Sequence, residues 1–199
     1  MKTSNSGGDF QLAPEGMHIA RCFRYIDMGT HHDDKWNTDK RLVQIAWELP
    51  GVLMDDERPF IITKRYTASH NERAILRQDL ESWYGKTFNT AELDKAGGFD
   101  LSKLIGRPCL LNIVHSEDGK YANIKSITPL VNGMNCPEQV NKTFSFDLES
   151  FNQAAFDQLS EKMQTYINEC HERNQPTIKE PAKKSASTGA DFIDDDIPF

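Results

Sequence analysis

The chain has 199 residues, of which 38% are hydrophobic and 27% are charged, and its formal net charge is −7. These values are typical of a soluble protein with one folded core and some unstructured length. No apolar run approaches the roughly 20 residues of a membrane-spanning helix, so no membrane association is expected. The acidic balance excludes nucleic-acid binding driven by overall charge, and any such binding must come from a local basic groove.

The N-terminal segment MKTSNSGGDF is rich in serine and glycine and lacks the apolar stretch of a signal peptide. We therefore predict a flexible segment over residues 1–15 and a cytoplasmic location. The four cysteines have no CxxC spacing, which predicts free thiols in a reducing compartment. They are Cys22, Cys109, Cys136 and Cys170, of which Cys22 and Cys109 are expected in the core.

Three strands are predicted in the first third of the chain. Residues 16–27 mix aromatic, apolar and basic side chains as a strand does, and residues 29–39 form a long polar loop. Residues 42–49 alternate between apolar and polar side chains, which indicates a half-buried strand that ends at Pro50-Gly51. Residues 59–67 are rich in β-branched and aromatic residues and form the third strand.

A helical region follows the third strand. Ser69 and Glu72 have the spacing of a capping box, and an apolar stripe recurs at helical spacing up to Gly85, which can close the helix. Shorter helical turns are expected after Thr90 and after Asp100. The stripe consists of Leu76, Leu80, Trp83 and Tyr84.

The next two strands are predicted at residues 107–116 and 120–128, joined as a hairpin around Glu117-Asp118-Gly119. Three strands, a helical insertion and two strands follow one another in the order of the OB-fold, a five-stranded barrel. Small barrels of other topology could produce the same order. We predict a mainly β fold, with an OB-fold barrel over residues 16–146 that carries a helical insertion between strands three and four.

The C-terminal third is predicted to be mostly helix and linker. Residues 129–146 contain prolines and a glycine and indicate a connector, and Asp147 is expected to cap a long helix over residues 147–173. The apolar stripe of this helix either packs back on the barrel or pairs with another subunit, so a homo-oligomer stays open. Residues 174–190 form a polar linker that is expected to be disordered.

Basic and aromatic residues concentrate where an OB-fold binds single strands, which is the face of strands two and three with the adjoining hairpin loops. Such binding needs aromatic rings that stack on bases and cations that contact phosphates. The candidates for this role are Arg21, Arg24, Lys35, Trp36, Lys40, Arg41, Lys64, Arg65, Tyr66, Lys120 and Tyr121.

Trp36 stands in a polar loop beside Lys35, whereas Trp47 and Trp83 lie on apolar stripes and are predicted to be core residues. We favour stacking of Trp36 on a base over anchoring of its loop to the barrel wall.

Strand three leaves open which of its faces points outward. Lys64 and Tyr66 share one face, and Ile61, Thr63 and Arg65 share the other. The charge of Lys64 favours the first face as the outward one, and the opposite arrangement stays open.

Metal binding and catalysis are not expected. His31-His32 lies before Asp33-Asp34, but adjacent residues rarely aim at one ion, and no cysteine or further histidine stands at finger spacing. Asp118-Gly119-Lys120 matches a nuclease Asp-x-Lys pattern, yet these residues fit a hairpin turn better. We therefore expect no metal, no cofactor and no enzymatic activity.

The last nine residues, DFIDDDIPF, place four aspartates and an apolar tripeptide at one end of the chain. The repelling charges keep this segment extended, and Pro198 stiffens it. Ile197 and Phe199 can then enter a small apolar pocket while a basic rim holds the carboxylates. A merely solubilising tail would explain the aspartates but not the apolar tripeptide.

This tail resembles the acidic tip of bacterial single-stranded DNA-binding proteins, in which an aspartate run followed by Ile-Pro-Phe recruits replication and repair proteins. The core resembles phage-encoded OB-fold single-stranded DNA-binding proteins in its order of elements and in the segments YTASHNERAILRQDLESWYGKTF and LIGRPCLLNIVH. The barrels of the bacterial proteins lack the insertion of residues 69–105, so their tetrameric state is not implied.

The resemblance implies that the protein coats single-stranded DNA during replication, recombination or repair in a bacterial host cell. It also implies that a C-terminal tip recruits the proteins that work there. The tip residues are Asp194, Asp195, Asp196, Ile197, Pro198 and Phe199. Two alternatives stay open: a decoy that occupies host replication proteins without binding DNA, and a recombination enzyme such as a nuclease.

Overall fold

The structure is a computed structural model that describes residues 11–174. Its strands are β1 (Gly16–Asp33), β2 (Thr38–Leu53), β3 (Pro59–Thr67), β4 (Pro108–His115), β5 (Ala122–Thr128) and β6 (Phe144–Phe146). Its helices are α1 (Ile75–Tyr84), α2 (Thr90–Ala96), a 3-10 turn (Leu101–Leu104), α3 (Gln153–Phe156), α4 (Glu161–Asn168) and α5 (His171–Asn174).

The strands form one sheet with the order β3-β2-β1-β4-β5, in which all neighbours are antiparallel. The long β1 pairs with β2 along one edge, while β4 and then the short parallel β6 occupy its other edge. The predicted β class and the helical insertion between strands three and four are confirmed. Within the described residues, no ladder joins β3 to β5, so the sheet is open rather than a closed barrel.

Helix α1 packs between the two ends of this sheet. Asp79 accepts hydrogen bonds from Lys64 Nζ (2.6 Å) and Tyr66 Oη (2.8 Å) of β3, and Ser82 Oγ donates to the Ile127 carbonyl of β5 (2.6 Å). The helix therefore ties β3 to β5 where backbone pairing does not.

The main core lies between α1 and the inner face of the sheet, which we define as the face turned toward α1. Trp47 and Trp83 are both buried there with ring centroids 5.8 Å apart, as predicted. Cys22 and Cys109 are also buried there, and all four cysteines of the chain are free thiols. Burial raises the pKa of the Cys22 thiol to about 12, which leaves it a packing group rather than a nucleophile.

A second apolar cluster covers part of the opposite, outer face of β1 and β2. Ile26 and Met28 of β1 pack there against Phe146 of β6, Phe156 of α3 and Ile167 of α4. Because Ala46 and Glu48 of β2 are buried as well, the prediction of a half-buried second strand is wrong. The C-terminal segment covers the face that the alternation assigned to solvent.

The predicted single helix over residues 147–173 is also wrong, because this segment forms three short helices. The Asp147 carboxylate accepts a hydrogen bond from the Glu149 amide rather than capping a long helix (2.8 Å). Ser160 instead caps α4 by accepting from the Met163 amide. The apolar stripe packs back on the sheet, which is one of the two arrangements that the sequence left open.

Three further boundaries differ from the predictions. Strand β1 continues through the expected polar loop and leaves only residues 34–37 as the turn, and β2 runs through Pro50-Gly51. Helix α1 begins at Ile75 without a side-chain cap, so the capping box is wrong. Glu72 accepts instead from Thr90 Oγ1 (2.9 Å) and joins the start of α2.

Residues 11–15, which the sequence predicted to be flexible, pack against β4. Ala13 is buried and its carbonyl lies 2.8 Å from His115 Nε2, while Glu15 accepts a hydrogen bond from the His115 amide (2.7 Å). Most of the predicted linker and the whole predicted tip, residues 191–199, lie outside the described residues. Across residues 11–174, every helix is too short or too polar to cross a lipid bilayer.

Candidate nucleic-acid interface

The outer face of β1, β2 and β3 carries two of the predicted cations. Directly paired residues of neighbouring strands point to the same side of a sheet, so the register places Ile26, Gln44 and Arg65 in one row across the face. Arg24 and Ala46 occupy the next row, with Thr63 opposite Ala46. Arg24 and Arg65 therefore face the same side.

Arg65 takes part in a stack on this face. Its guanidinium lies 5.3 Å from the ring centroid of Tyr166 in α4, and Tyr166 stacks on His31 of β1 with centroids 4.1 Å apart. Arg65 is exposed, and no carboxylate pairs with it among residues 11–174. This arrangement presents a cation beside two rings, which suits contact with a phosphate next to a base.

The structure corrects the prediction for strand three. Tyr66 is 4% exposed and its hydroxyl donates to Asp79, so it cannot stack on a base. Lys64 on the same inner face is neutralised by Asp79. The alternative parity, with Ile61, Thr63 and Arg65 outward, is the one observed.

Arg24 lies on the outer face between Ala46 of β2 and Phe144 of β6. Its Nε atom is buried and has no hydrogen-bond partner within the described part of the chain. Its nearest aromatic contact is the ring of Phe23, whose centroid lies 5.5 Å from the guanidinium carbon. Burial lowers the pKa of Arg24 from its ordinary value. Among residues 11–174 the side chain is therefore a cation without a counterion.

The tip of the β1–β2 hairpin exposes Trp36. The Asp33 carbonyl accepts from the Trp36 amide (3.1 Å) and the Asp33 carboxylate from the Lys35 amide (3.1 Å), which fixes the turn. Trp36 is 64% exposed, and Lys35 Nζ lies 5.3 Å from its ring centroid. The ring is thus displayed to solvent beside a cation, and its loop is not anchored through it to the sheet.

Other predicted cations serve the fold. Lys40 pairs with Asp33, and Arg21 donates to the carbonyls of Gly106 (2.7 Å) and Pro137 (3.0 Å). These contacts join the hairpin stem and fasten the connector to β1. Neither side chain is a free phosphate ligand.

Arg41 points to the inner side of β2. Its guanidinium pairs with Asp27 (2.6 Å) and Glu149 (2.7 Å), and the hydrogen bond to Asp27 is the main cause that raises the pKa of Arg41. Asp27 is itself buried and also accepts from the Gly29 amide (3.1 Å). The prediction of a DNA contact for Arg41 is not supported, because both of its counterions are internal.

The last hairpin is distant from the first along β1. Lys120 lies 3.4 Å from Asp118, and the neighbouring Tyr121 is 65% exposed. The β4 end of this hairpin pairs with Gly16, at the start of β1, whereas Trp36 follows the end of β1. The structure therefore does not bring Lys120 and Tyr121 together with Trp36.

A groove that the sequence did not predict lies beside Arg24, between the sheet and the C-terminal segment. We call it the outer groove. It has a volume of about 370 Å³ and an apolar lining from Phe23, Ile26, Phe144, Leu159 and Met163. Its polar lining is Arg24, Gln44, Asn141, Lys142, Thr143, Gln158 and Ser160, which includes two cations and no carboxylate.

A second cavity, of about 270 Å³, lies on the inner side of β1 and β2 near α1. We call it the inner cavity. Its charged lining residues are Asp27, Asp100, Asp147, Glu149, Arg41 and Arg77, with His70 beside them. Burial, with the negative charges of Asp147, Asp100 and Asp27, raises the pKa of the Tyr25 hydroxyl at its wall.

Both histidines of the pair contact oxygen atoms of the protein. His31 Nε2 lies 2.9 Å from the Met28 carbonyl, and His32 Nδ1 lies 2.8 Å from the Asp39 carboxylate. Over residues 11–174, no three His, Cys, Asp or Glu side chains converge so as to hold a metal ion.

Comparison of the sequence with models of known protein families gave no match, and a search of curated proteins gave none either. The assignment of a function therefore depends on the chemistry of the residues described above.

Proposed function

We propose that this protein binds single-stranded DNA with little sequence preference, using the outer face of β1, β2 and β3 together with the tip of the β1–β2 hairpin. In this proposal the sheet is an OB-fold in which α1 takes the place of β3–β5 pairing. The protein acts as a binding protein rather than an enzyme, in the cytoplasm of a bacterial host, during replication, recombination or repair.

The observation that carries the proposal is the exposed pair of Lys35 and Trp36 at the end of a sheet face whose arginines have no carboxylate partners among residues 11–174. An exposed tryptophan is a stacking surface for any base, worth roughly 1–3 kcal/mol per base. Arg24 and Arg65 can then neutralise phosphates locally although the whole chain is acidic.

We further propose that residues 191–199 recruit replication, recombination and repair proteins. The support is the sequence itself, in which Ile197 and Phe199 flank Pro198 after three aspartates. Apolar anchors give affinity in such docking, and the charges steer the encounter.

The DNA-binding proposal is tested by titrating a fluorescent oligo-dT with the wild-type protein at several salt concentrations. We expect an affinity that falls as salt rises, because phosphate contacts release counterions. Trp36→Ala should weaken binding by roughly 1–3 kcal/mol, whereas Trp36→Phe keeps a stacking ring and should lose less. Both variants should unfold at the wild-type temperature. Absence of wild-type binding to the oligonucleotide would refute the proposal.

One set of contacts favours a second candidate, the decoy. Lys40, Arg41 and Lys64 are neutralised by Asp33, by Asp27 with Glu149 and by Asp79, which leaves fewer cations for DNA than the sequence predicts. A decoy would capture host replication proteins from a lysate through residues 191–199 and would not bind oligo-dT. Deleting those residues should abolish the capture in either case, so the oligonucleotide titration separates the two candidates.

A further inference from the structure

The outer groove contains a half-buried arginine that has no counterion among residues 11–174. Removing a charge from water without a counterion is costly, so buried charges in proteins are normally paired. Arg24 departs from this rule in part, because its side chain is half-buried and its Nε is fully buried and makes no hydrogen bond among residues 11–174. Lys142, which lines the same groove, is exposed and likewise makes no ion pair within that range. An anionic ligand would supply the missing counterion for both side chains.

The rest of the lining indicates what else the ligand carries. The apolar lining includes the partly exposed Phe144 and Met163, which we call the apolar wall, and a bare inorganic anion would leave this surface wet. Gln44 also lines the groove, and its amide makes no hydrogen bond to the described part of the chain. A planar group with polar edges fits such a site, since the amide can both donate and accept.

The groove is preformed along residues 140–144, because this part of its lining is fastened to the sheet. Glu48 is fully buried and accepts hydrogen bonds from the Val140 amide (2.8 Å), the Asn141 amide (2.7 Å) and Asn141 Nδ2 (2.6 Å). Strand β6 pairs with β1 directly at Arg24. Little ordering cost therefore remains for a ligand to offset.

We propose that the outer groove holds a single nucleotide, with its phosphate between Arg24 and Lys142 and its base on the apolar wall, where Gln44 contacts the base edge. Its volume of about 370 Å³ lies at the lower end of the roughly 300–1,000 Å³ typical of ligand sites. If the nucleotide belongs to a DNA strand, this inference rests on the proposed function and specifies where one nucleotide of the strand binds. The C-terminal segment then supplies one wall of the binding site rather than merely covering the sheet.

The experiment measures the affinity of the full chain for dTMP and for thymidine by calorimetry. We expect dTMP to bind at least tenfold more tightly than thymidine, because only dTMP carries the anion. Arg24→Gln and Lys142→Gln should each abolish this preference. Lys125→Gln, at an exposed lysine of β5 outside the groove, is the matched control and should keep it.

Two oligonucleotides distinguish the possible sources of the nucleotide. If the groove takes a strand end, 5′-phosphorylated oligo-dT binds more tightly than 5′-hydroxyl oligo-dT; if it takes an internal nucleotide, both bind equally and both weaken in Arg24→Gln. Binding of dTMP with no change for either oligonucleotide in Arg24→Gln identifies a free nucleotide as the ligand.

Equal affinity for dTMP and thymidine, or an unchanged preference in a folded Arg24→Gln or Lys142→Gln protein, would overturn the inference. If Arg24→Gln does not fold, the exposed Lys142 carries the test alone. If the wild-type protein binds dTMP but not oligo-dT, the nucleotide site in the groove is supported and the proposed function is refuted. If it binds oligo-dT but not dTMP, the proposed function is supported and the nucleotide site is refuted.

Discussion

The outer groove and the inner cavity lie on opposite faces of β1 and β2, and they handle charge in opposite ways. In the inner cavity Arg41 forms ion pairs with Asp27 and Glu149, so its charge is neutralised within the fold. In the outer groove Arg24 and Lys142 meet no carboxylate of the lining. The contrast shows that a cation is available to bind an anionic ligand only where no carboxylate of the protein already neutralises it, whatever its position on the sheet.

The largest change should come from removing the fastening of the outer groove. Glu48→Ala leaves two backbone amides and the Asn141 side chain without their acceptor. We expect the free energy of unfolding to fall by about 3–5 kcal/mol, since a fully buried side chain is removed and three partly buried donors lose their acceptor. Chemical denaturation measures this loss. Glu117→Ala, at an exposed glutamate of the last hairpin, should be neutral, and a neutral Glu48→Ala would show that the connector does not need this anchor.

A smaller loss is expected on the inner side. Asp27→Asn removes the charge that Arg41 and the Gly29 amide contact. Hydrogen bonds to charged groups contribute roughly 1.5–3 kcal/mol, and Arg41 retains Glu149, so we expect a loss of about 2 kcal/mol. Denaturation curves with Asp55→Asn as control test this value. A loss below that of the control would mean that the inner pair is not stabilising.

The last helix gives a pH-dependent effect. Burial raises the pKa of Glu172, but hydrogen bonds from Thr30 Oγ1 (2.6 Å) and the Thr30 amide (2.8 Å) outweigh it and hold the pKa at about 2. A depressed folded-state pKa stabilises the protein above the unfolded value of 4.5 and loses that contribution as pH falls toward 2.

The Glu172 side chain is largely exposed, and solvent therefore screens its charge interactions. We expect Glu172→Gln to lower the free energy of unfolding by only about 1 kcal/mol at pH 7. The difference from wild type should vanish between pH 4.5 and 2. Thermal unfolding across this pH range measures it, with Glu169→Gln of the preceding turn as control. A difference that does not depend on pH would contradict the contact with Thr30.

The smallest change in stability is expected for Arg24→Gln, and it tests the contrast between the two faces most directly. Arg24→Gln removes a cation that the fold does not use, so the free energy of unfolding should stay within roughly 0.5 kcal/mol of wild type or rise slightly. Arg73→Gln, at an exposed arginine before α1, serves as control. A loss comparable to that of Asp27→Asn would show that Arg24 serves the fold and would erase the contrast between the two faces.

Local patterns in the sequence predicted the strands and the core tryptophans, because side-chain alternation and apolar stripes are short-range signals. They failed over residues 147–173, where steps of three and four persist through three short helices that pack on a sheet. The capping box failed because Glu72 contacts Thr90 of the next helix.

The candidate site was less predictable than the fold. Arg41 is excluded from the candidate site because it pairs with Glu149, which lies 108 residues later in the chain. Lys64 is excluded because it pairs with Asp79 of the packed helix α1. The outer groove depends on Lys142, which no local motif marks. The exposure of Trp36 was predictable because its polar surroundings are local in the sequence, whereas its stacking on a base stays a prediction.

The pairing of β6 with β1 has a consequence for synthesis of the chain. Phe144 pairs with Arg24, 120 residues earlier, so ribosomes working at about 5–20 residues per second deliver the partner of β1 roughly 6–24 s after β1 itself. During that interval Ile26 and Met28 lack the cover of Phe146, Phe156 and Ile167. A nascent chain therefore passes through a stage in which the outer face is apolar and prone to aggregation, and it cannot assemble the outer groove until its lining residues up to Met163 have been synthesised.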